Sequence, residues 1–380
     1  MKHIVATLLL VTAGLTLAAA DAVAGQFKKP AYYPLGEVPY RLITADFNDD
    51  GNLDLAVSSF DRSEVAILLG KGNGTFRAAH YFSVSGAASL AAGDFNEDHR
   101  LDLAVVEYGG TGNSALGIFL GDGKGNFHNS ATYELGIESY SVAVADFDSD
   151  GHLDIAVTNR LGYGKGGQSG SVLVFFGNGD GTFKAPVTYK LAGQPCAVAA
   201  GDLNGDKHPD LAVAECTGGA VAILMNNGHG KFKQAQTYGA GDVPNDVVIR
   251  DLGNGNADLV LSDPSGASIA VLLGNGDGTF GNATLYSVQQ FGAANPNAVG
   301  VADFNRDGNL DIAVAITGGV ADIALLYGNG DGTFQDPVVV AQPSGEVNGL
   351  AIGDFNKDGA PDLAVPEDSP NHVAILINKQ

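Results

Sequence analysis

Tryptophan is absent from this 380-residue chain, and cysteine and methionine each occur only twice. Basic residues are also scarce: 20 lysines and arginines stand against 43 acidic residues, for a formal charge of −23. Such a surface excludes nucleic acid and anionic membrane as natural partners. The lack of tryptophan weighs against a lectin, because sugar faces commonly stack on aromatic rings. Beyond the first two dozen residues no apolar run is long enough to cross a bilayer, and no stretch has helical periodicity. Catalytic signatures are missing too. There is no GxSxG elbow. Of the eight histidines, His3 precedes the fold, His99, His152 and His208 lie in acidic loops, His229 lies in a turn, and His80 and His128 belong to outer-strand regions. Only His372 is left on the opposite face, too little for a histidine pair in acid–base work or zinc binding.

At the N-terminus, Lys2 precedes an apolar run over residues 4–17, followed by small residues at Ala18-Ala19-Ala20 and Ala22-Val23-Ala24. Residues 1–24 therefore read as a secretory signal peptide, and the folded part as residues 25–380, exported to the periplasm or the extracellular space. Cys196 and Cys216 each stand ten residues from Asp206. If the flanking segments pair as a hairpin, the two face each other, and in an exported protein they form either a disulfide or two separate buried thiols.

What is abundant is repetition. The pattern DFNxDGxxDLAV recurs from Asp46, Asp94, Asp146, Asp202, Asp251, Asp303 and Asp354, at steps of 48, 52, 56, 49, 52 and 51 residues. A period near fifty marks one supersecondary unit that must lean on its neighbours. In the third copy, an apolar segment at 141–145 enters the acidic loop, and further short segments lie at 153–157, 172–176 and 183–189, the last two joined by the glycine turn of residues 177–181. The 54 glycines suit such turns. Four short strands per unit predict an all-β fold, a seven-bladed β-propeller of four-stranded antiparallel blades. The last unit stops at Asn378 without its fourth strand, while Gln26-Phe27 onward resembles the fourth-strand segment at 182–189. The N-terminal strand is thus expected to complete the last blade. Tyr81, Tyr133, Tyr189, Tyr238 and Tyr286 recur in the fourth strand and read as structural.

Each intact loop carries oxygen at positions 1, 3, 5 and 9. The sets are Asp46, Asn48, Asp50, Asp54; Asp94, Asn96, Asp98, Asp102; and Asp146, Asp148, Asp150, Asp154. They continue as Asp202, Asn204, Asp206, Asp210; Asp303, Asn305, Asp307, Asp311; and Asp354, Asn356, Asp358, Asp362. Hard oxygen donors at alternate positions, with a carbonyl and water, suit Ca²⁺. About six sites are expected, with Gly51, Gly151, Gly308 and Gly359 permitting the sharp turn at position 6. His99 and Lys207 replace that glycine, which should weaken two sites. The fifth loop, Asp251 to Asp258, is one residue short, lacks the central carboxylate, and is expected to bind no metal. Phe47, Phe95, Phe147, Leu203, Leu252, Phe304 and Phe355 at position 2 read as core plugs, since they persist in the defective fifth loop.

These units resemble the FG-GAP/VCBS repeats of integrin α-subunit propellers and secreted bacterial proteins, as in Leu272-Leu273-Gly274-Asn275-Gly276-Asp277-Gly278-Thr279-Phe280 and in Val301-Ala302-Asp303-Phe304. The resemblance covers residues 26–380 and implies Ca²⁺ at the matched aspartates and a role in adhesion or extracellular recognition. It does not name a ligand, because the fold hosts many functions.

The face opposite the acidic loops is the expected recognition face, with Glu107, Tyr108, Arg160, Tyr163 and Lys165 on its two longest connections, at residues 106–115 and 158–171. A GxGxxG match at Gly162–Gly167 has no following helix and is not read as a nucleotide site. The favoured reading is a monomeric, non-catalytic, Ca²⁺-stabilised module for an extracellular protein or glycan partner. The alternatives are a secreted lectin, or a polysaccharide lyase or hydrolase using Glu107, Glu215 and Glu367, which follow strand ends on that face.

Overall fold

The computed structural model describes residues 26–36, 38–59, 63–108, 113–161, 170–292, 294–318 and 321–380. The leader segment lies outside the described residues. So do Tyr163, Lys165 and the GxGxxG match.

Seven antiparallel sheets of four strands each make up the fold. The one helix among the described residues is a single 3₁₀ turn, Gln289–Phe291. Blade 1 has strands Pro39–Ala45, Asp54–Ser59, Glu64–Leu68 and His80–Ser83, hydrogen-bonded in that order. Blades 2 to 6 repeat the order from first strands Ala87–Gly93, Ser139–Ala145, Pro195–Gly201, Asp246–Arg250 and Asn295–Ala302. Blade 7 is closed as expected. Its strands Ala351–Gly353, Asp362–Asp368 and Asn371–Leu376 are completed by the N-terminal strand Ala31–Pro34, in the register Ala31 to Ile375 through Pro34 to His372.

The second strands are buried along their whole length in blades 1, 3, 4, 5 and 6, which is why they read as continuous apolar runs rather than alternating ones. Seven apolar clusters fill the spaces between sheets, each drawing on two adjacent blades. The position-2 residues are the plugs. Phe147 is fully buried among Val172, Val174, Leu211 and Phe232, and Phe47 lies between Ile67 of its own blade and Leu103 and Phe119 of the next. Burying one such ring contributes about 2–3 kcal/mol.

The glycine turns bind neighbouring blades through the backbone. Gly125, Gly181 and Gly230 donate their N–H to the carbonyls of Phe47, Phe95 and Phe147 in the preceding blade, at 3.1, 2.8 and 3.0 Å. Gly230 has φ +67°, and a Cβ there would lie 2.5 Å from the Phe176 ring, so only glycine fits this approach.

Most fourth-strand tyrosines also reach across blades. The hydroxyls of Tyr133 and Tyr286 accept the N–H of Phe183 and Phe334 at 2.8 and 3.1 Å, and Tyr189 donates to the Gly230 carbonyl at 3.0 Å. Tyr81 departs from this expectation. Phe82 takes the inward position against Phe119 and Phe127, while Tyr81 is turned outward. The equivalent residue in the N-terminal strand is Tyr33, whose hydroxyl accepts the Phe76 N–H at 3.0 Å.

Candidate functional site

On one face of the ring lie the acidic loops and the glycine turns. The position-9 aspartates Asp54, Asp102, Asp154, Asp210, Asp311 and Asp362 open the second strands and are fully buried. Each ties its own loop to a residue that ends or follows the third strand, the start of a glycine turn in five blades and Asn378 for Asp362. Asp154 accepts the Phe147 N–H on Oδ2 at 2.8 Å and the Gly177 N–H on Oδ1 at 2.8 Å, tying its own loop to the glycine turn. Asp54 does the same with Phe47 and Gly70, and Asp311 with Phe304 and Gly328. Burial pushes these carboxyls up to about 6, and the neighbouring loop carboxylates add to the rise, as Asp50 and Asp46 do for Asp54; the backbone N–H bonds oppose it.

The outer part of each loop is a chain of side-chain-to-backbone turns. Asp46 accepts the N–H of Asp50 on Oδ1 at 3.2 Å and of Gly51 on Oδ2 at 2.7 Å, and Asn48 Oδ1 also accepts the Asp50 N–H. His99 and Lys207 take the left-handed backbone of the glycines they replace, at φ 66° and 69°. Position 4 shares that conformation, at Asp49, Glu97, Ser149, Arg306 and Lys357, a feature the spacing had not shown.

In the third loop one oxygen from each of Asp146, Asp148 and Asp154 falls within 4.8 Å of the others. Asp146 Oδ1 is buried there with no hydrogen-bond partner. Burial, then the charge of Asp150, raises the carboxyl of Asp148. A buried, unpartnered oxygen among converging carboxylates fits a hard cation. The fifth loop is arranged otherwise. Asn254 Nδ2 donates to Asp258 Oδ1 at 2.7 Å, so a neutral amide stands against this carboxylate, which still accepts the N–H of Leu252 and Gly274.

On the opposite face the glutamates are placed differently from the sequence expectation. Glu107, Glu215 and Glu367, candidates for recognition or acid–base work, are turned inward and buried at 7%, 2% and 1% exposure. They accept N–H groups of the connections entering their blades, from Ser85 at 3.2 Å, Gly193 at 2.8 Å and Ser344 at 2.8 Å. Burial raises the carboxyls of Glu107 and Glu215. His372 packs beside Glu367 at 3.0 Å and is buried as well. These glutamates are clamps for the connections. The longer connection of blade 2 is mostly strand, since Asp102–Tyr108 and Asn113–Gly121 leave only 109–112 between them.

Tyr108 and Arg160 both lie around Tyr140, and Arg160 and Tyr140 line a cavity on the axis of the ring. The Tyr108 and Tyr140 rings are 6.5 Å apart, and the Arg160 guanidinium lies 5.9 Å from the Tyr140 ring. The Cys196–Cys216 pair is a disulfide with Cα atoms 5.8 Å apart, and Cys196 lines the axial cavity. Missed from the sequence were Arg41 and Asp246 at the same cavity, joined at 3.8 Å across the axis. Both stand five residues before the first aspartate of their loops, where the other blades carry Ser89, Ser141, Ala197, Ala298 and Gly349. That contrast was the available signal.

The FG-GAP-like repeat family matches the chain at residues 46–105, 106–157, 163–213, 252–314 and 314–365. This chain belongs to that family. No curated protein matches the sequence. Among solved structures, one described as BBS1N in complex with ARL6DN, soaked with lead, is similar at a TM-score of 0.61 and 15% identity, covering 93% of this chain and 98% of that one. At that identity the likeness is one of fold. No helix among the described residues is long and apolar enough to cross a membrane.

Proposed function

We propose that this protein is an exported, non-catalytic interaction module whose blades are braced by Ca²⁺ in the six intact acidic loops and whose opposite face recognises an extracellular protein or glycan. The observation carrying the metal reading is the unpartnered, buried Oδ1 of Asp146 among the converging carboxylates of Asp148 and Asp154. A divalent cation there would supply charge neutralisation. The chain's own residues do the rest: position-9 aspartates tie each loop to the end of the third strand, and position-2 rings fix each loop over the core. The leader at residues 1–24 supports export, where free Ca²⁺ is plentiful. The glutamates of the opposite face are buried as clamps for the connections, Glu367 together with His372, which supports binding over turnover. The structural neighbour's assembly with a second protein agrees with an interaction role.

Thermal unfolding with Ca²⁺ or with chelator tests the metal reading. With free Ca²⁺ at ten times Kd, each occupied site adds about 1.4 kcal/mol, so several sites should raise Tm by many degrees. An unchanged Tm overturns it. Capture from the native surroundings with and without Ca²⁺ tests the interaction role.

A further inference from the structure

On the face opposite the acidic loops, the axis of the ring opens into a cavity of about 330 Å³. Its walls come from the first strands of blades 1 to 5 and from Gly349 and Leu350 before the first strand of blade 7. The volume is at the small end of the range for ligand sites, about 300–1,000 Å³. It suits one sugar ring or a dipeptide.

The lining is chemically lopsided. Arg41 and Arg160 are two of only 20 basic residues in the chain, yet both reach this cavity. Each is laid against a ring, Arg41 over Tyr40 at 5.6 Å and Arg160 over Tyr140 at 5.9 Å. Cation–π attraction at that distance helps to hold each guanidinium, and the five N–H groups of Arg160 outnumber its bonds to Gln194 and to the Tyr140 side chain, which leaves donors for an anion. Arg160 uses Nε on Gln194 Oε1 at 3.1 Å, and no ion pair joins it to a described carboxylate. Arg41 approaches Asp246 only to 3.8 Å, wider than the roughly 2.7–2.9 Å of a direct charge-assisted hydrogen bond. Asp246 itself accepts the N–H of Val299 at 3.1 Å and is partly buried. The cavity lining thus carries two guanidinium groups and one carboxylate, that of Asp246, in a protein of charge −23.

We propose that this axial cavity binds a compact carboxylate ligand, with the carboxylate on Arg41 and Arg160 and the ligand's hydroxyl or amino donors directed to Asp246. A uronic acid and an acidic dipeptide both carry this chemistry. The proposal rests on the reading of the protein as a binding module, and the Ca²⁺ thermal shift tests the bracing separately.

Calorimetric titration of the Ca²⁺-loaded full chain with galacturonic acid and with the C-terminal amide of Gly-Asp, beside their carboxylate-free counterparts galactose and the C-terminal amide of Gly-Asn, decides the matter. At least one acid should bind, and its carboxylate-free counterpart should bind about tenfold more weakly or worse. Arg160→Gln and Arg41→Gln should each weaken the acid about tenfold, with Tm reported alongside. If Arg41→Gln fails to fold, Arg160→Gln carries the test, since its side chain leaves the strand ladders intact. Binding of the Gly-Asp amide alone, or of galacturonate alone, identifies the source of the carboxylate. Equal binding of acid and carboxylate-free counterpart, undiminished binding by a folded Arg160→Gln, or binding of neither acid overturns the proposal. A normal Ca²⁺ shift alongside any of these would leave the metal reading intact.

Discussion

Asp258 and Gly274 meet at 2.8 Å, carboxylate oxygen to backbone N–H, in the one blade whose acidic loop is short. The same bond joins Asp154 to Gly177 in an intact blade. The clamp therefore forms whether or not the loop carries its central carboxylate. Asp258→Ala should remove two buried hydrogen bonds and cost about 2–4 kcal/mol, equally in Ca²⁺ and in chelator. Asp154→Ala should cost more in Ca²⁺ than in chelator. Chemical denaturation of both variants under both conditions measures the difference.

The six position-9 carboxyls, held near 6, stand above their ordinary value of 3.8. The folded, metal-free protein therefore binds protons more tightly than the unfolded chain across that window. By linkage, its stability in chelator should rise as pH falls from 7 through 6 towards 4. With Ca²⁺ the trend should reverse over the same range, because protons compete with the cation. Tm against pH in the two buffers should give slopes of opposite sign.

Reduction of Cys196–Cys216, which closes a separation of 20 residues, should cost about 3 kcal/mol. The Cys196→Ser/Cys216→Ser double variant should show the same loss without reductant. Denaturant midpoints of oxidised, reduced and double-variant protein make the comparison.

Tyr133→Phe removes the acceptor for the Phe183 N–H and loosens the contact between blades 2 and 3. It should cost about 1–2 kcal/mol. Tyr81→Phe, whose lost bond to the Gly36 N–H is solvent-exposed, should stay within about 0.5 kcal/mol. Equal losses would mean that the fourth-strand position does not decide the role.

The architecture was legible because Asp46 and its counterparts repeat at a constant step, and because a position-2 ring has one place to go, into the gap between sheets. The closing strand was legible because Phe27 repeats the role of Phe183, pairing with Asn378 as Phe183 pairs with Gly177. Less could be read where direction matters more than spacing. Glu107 follows an apolar strand on a loop-bearing face, and nothing local says that its carboxylate turns back onto Ser85. The disulfide was undecided because the ladder shifts register between Pro195 and Ala197, so simple alternation does not place Cys196. Arg41 and Asp246 are 205 positions apart and meet only because the ring closes.

Closure by the N-terminal strand also sets how the molecule would bear load. Phe27 lies beside Asn378 and Lys379 donates its N–H to the Gln26 carbonyl at 2.8 Å, so both chain ends leave from the same end of one antiparallel pair. Tension applied between them would open that pair rung by rung, like a zipper, rather than shearing all its bonds at once. A tether at either end would exit on the acidic-loop side and leave the axial cavity facing outward.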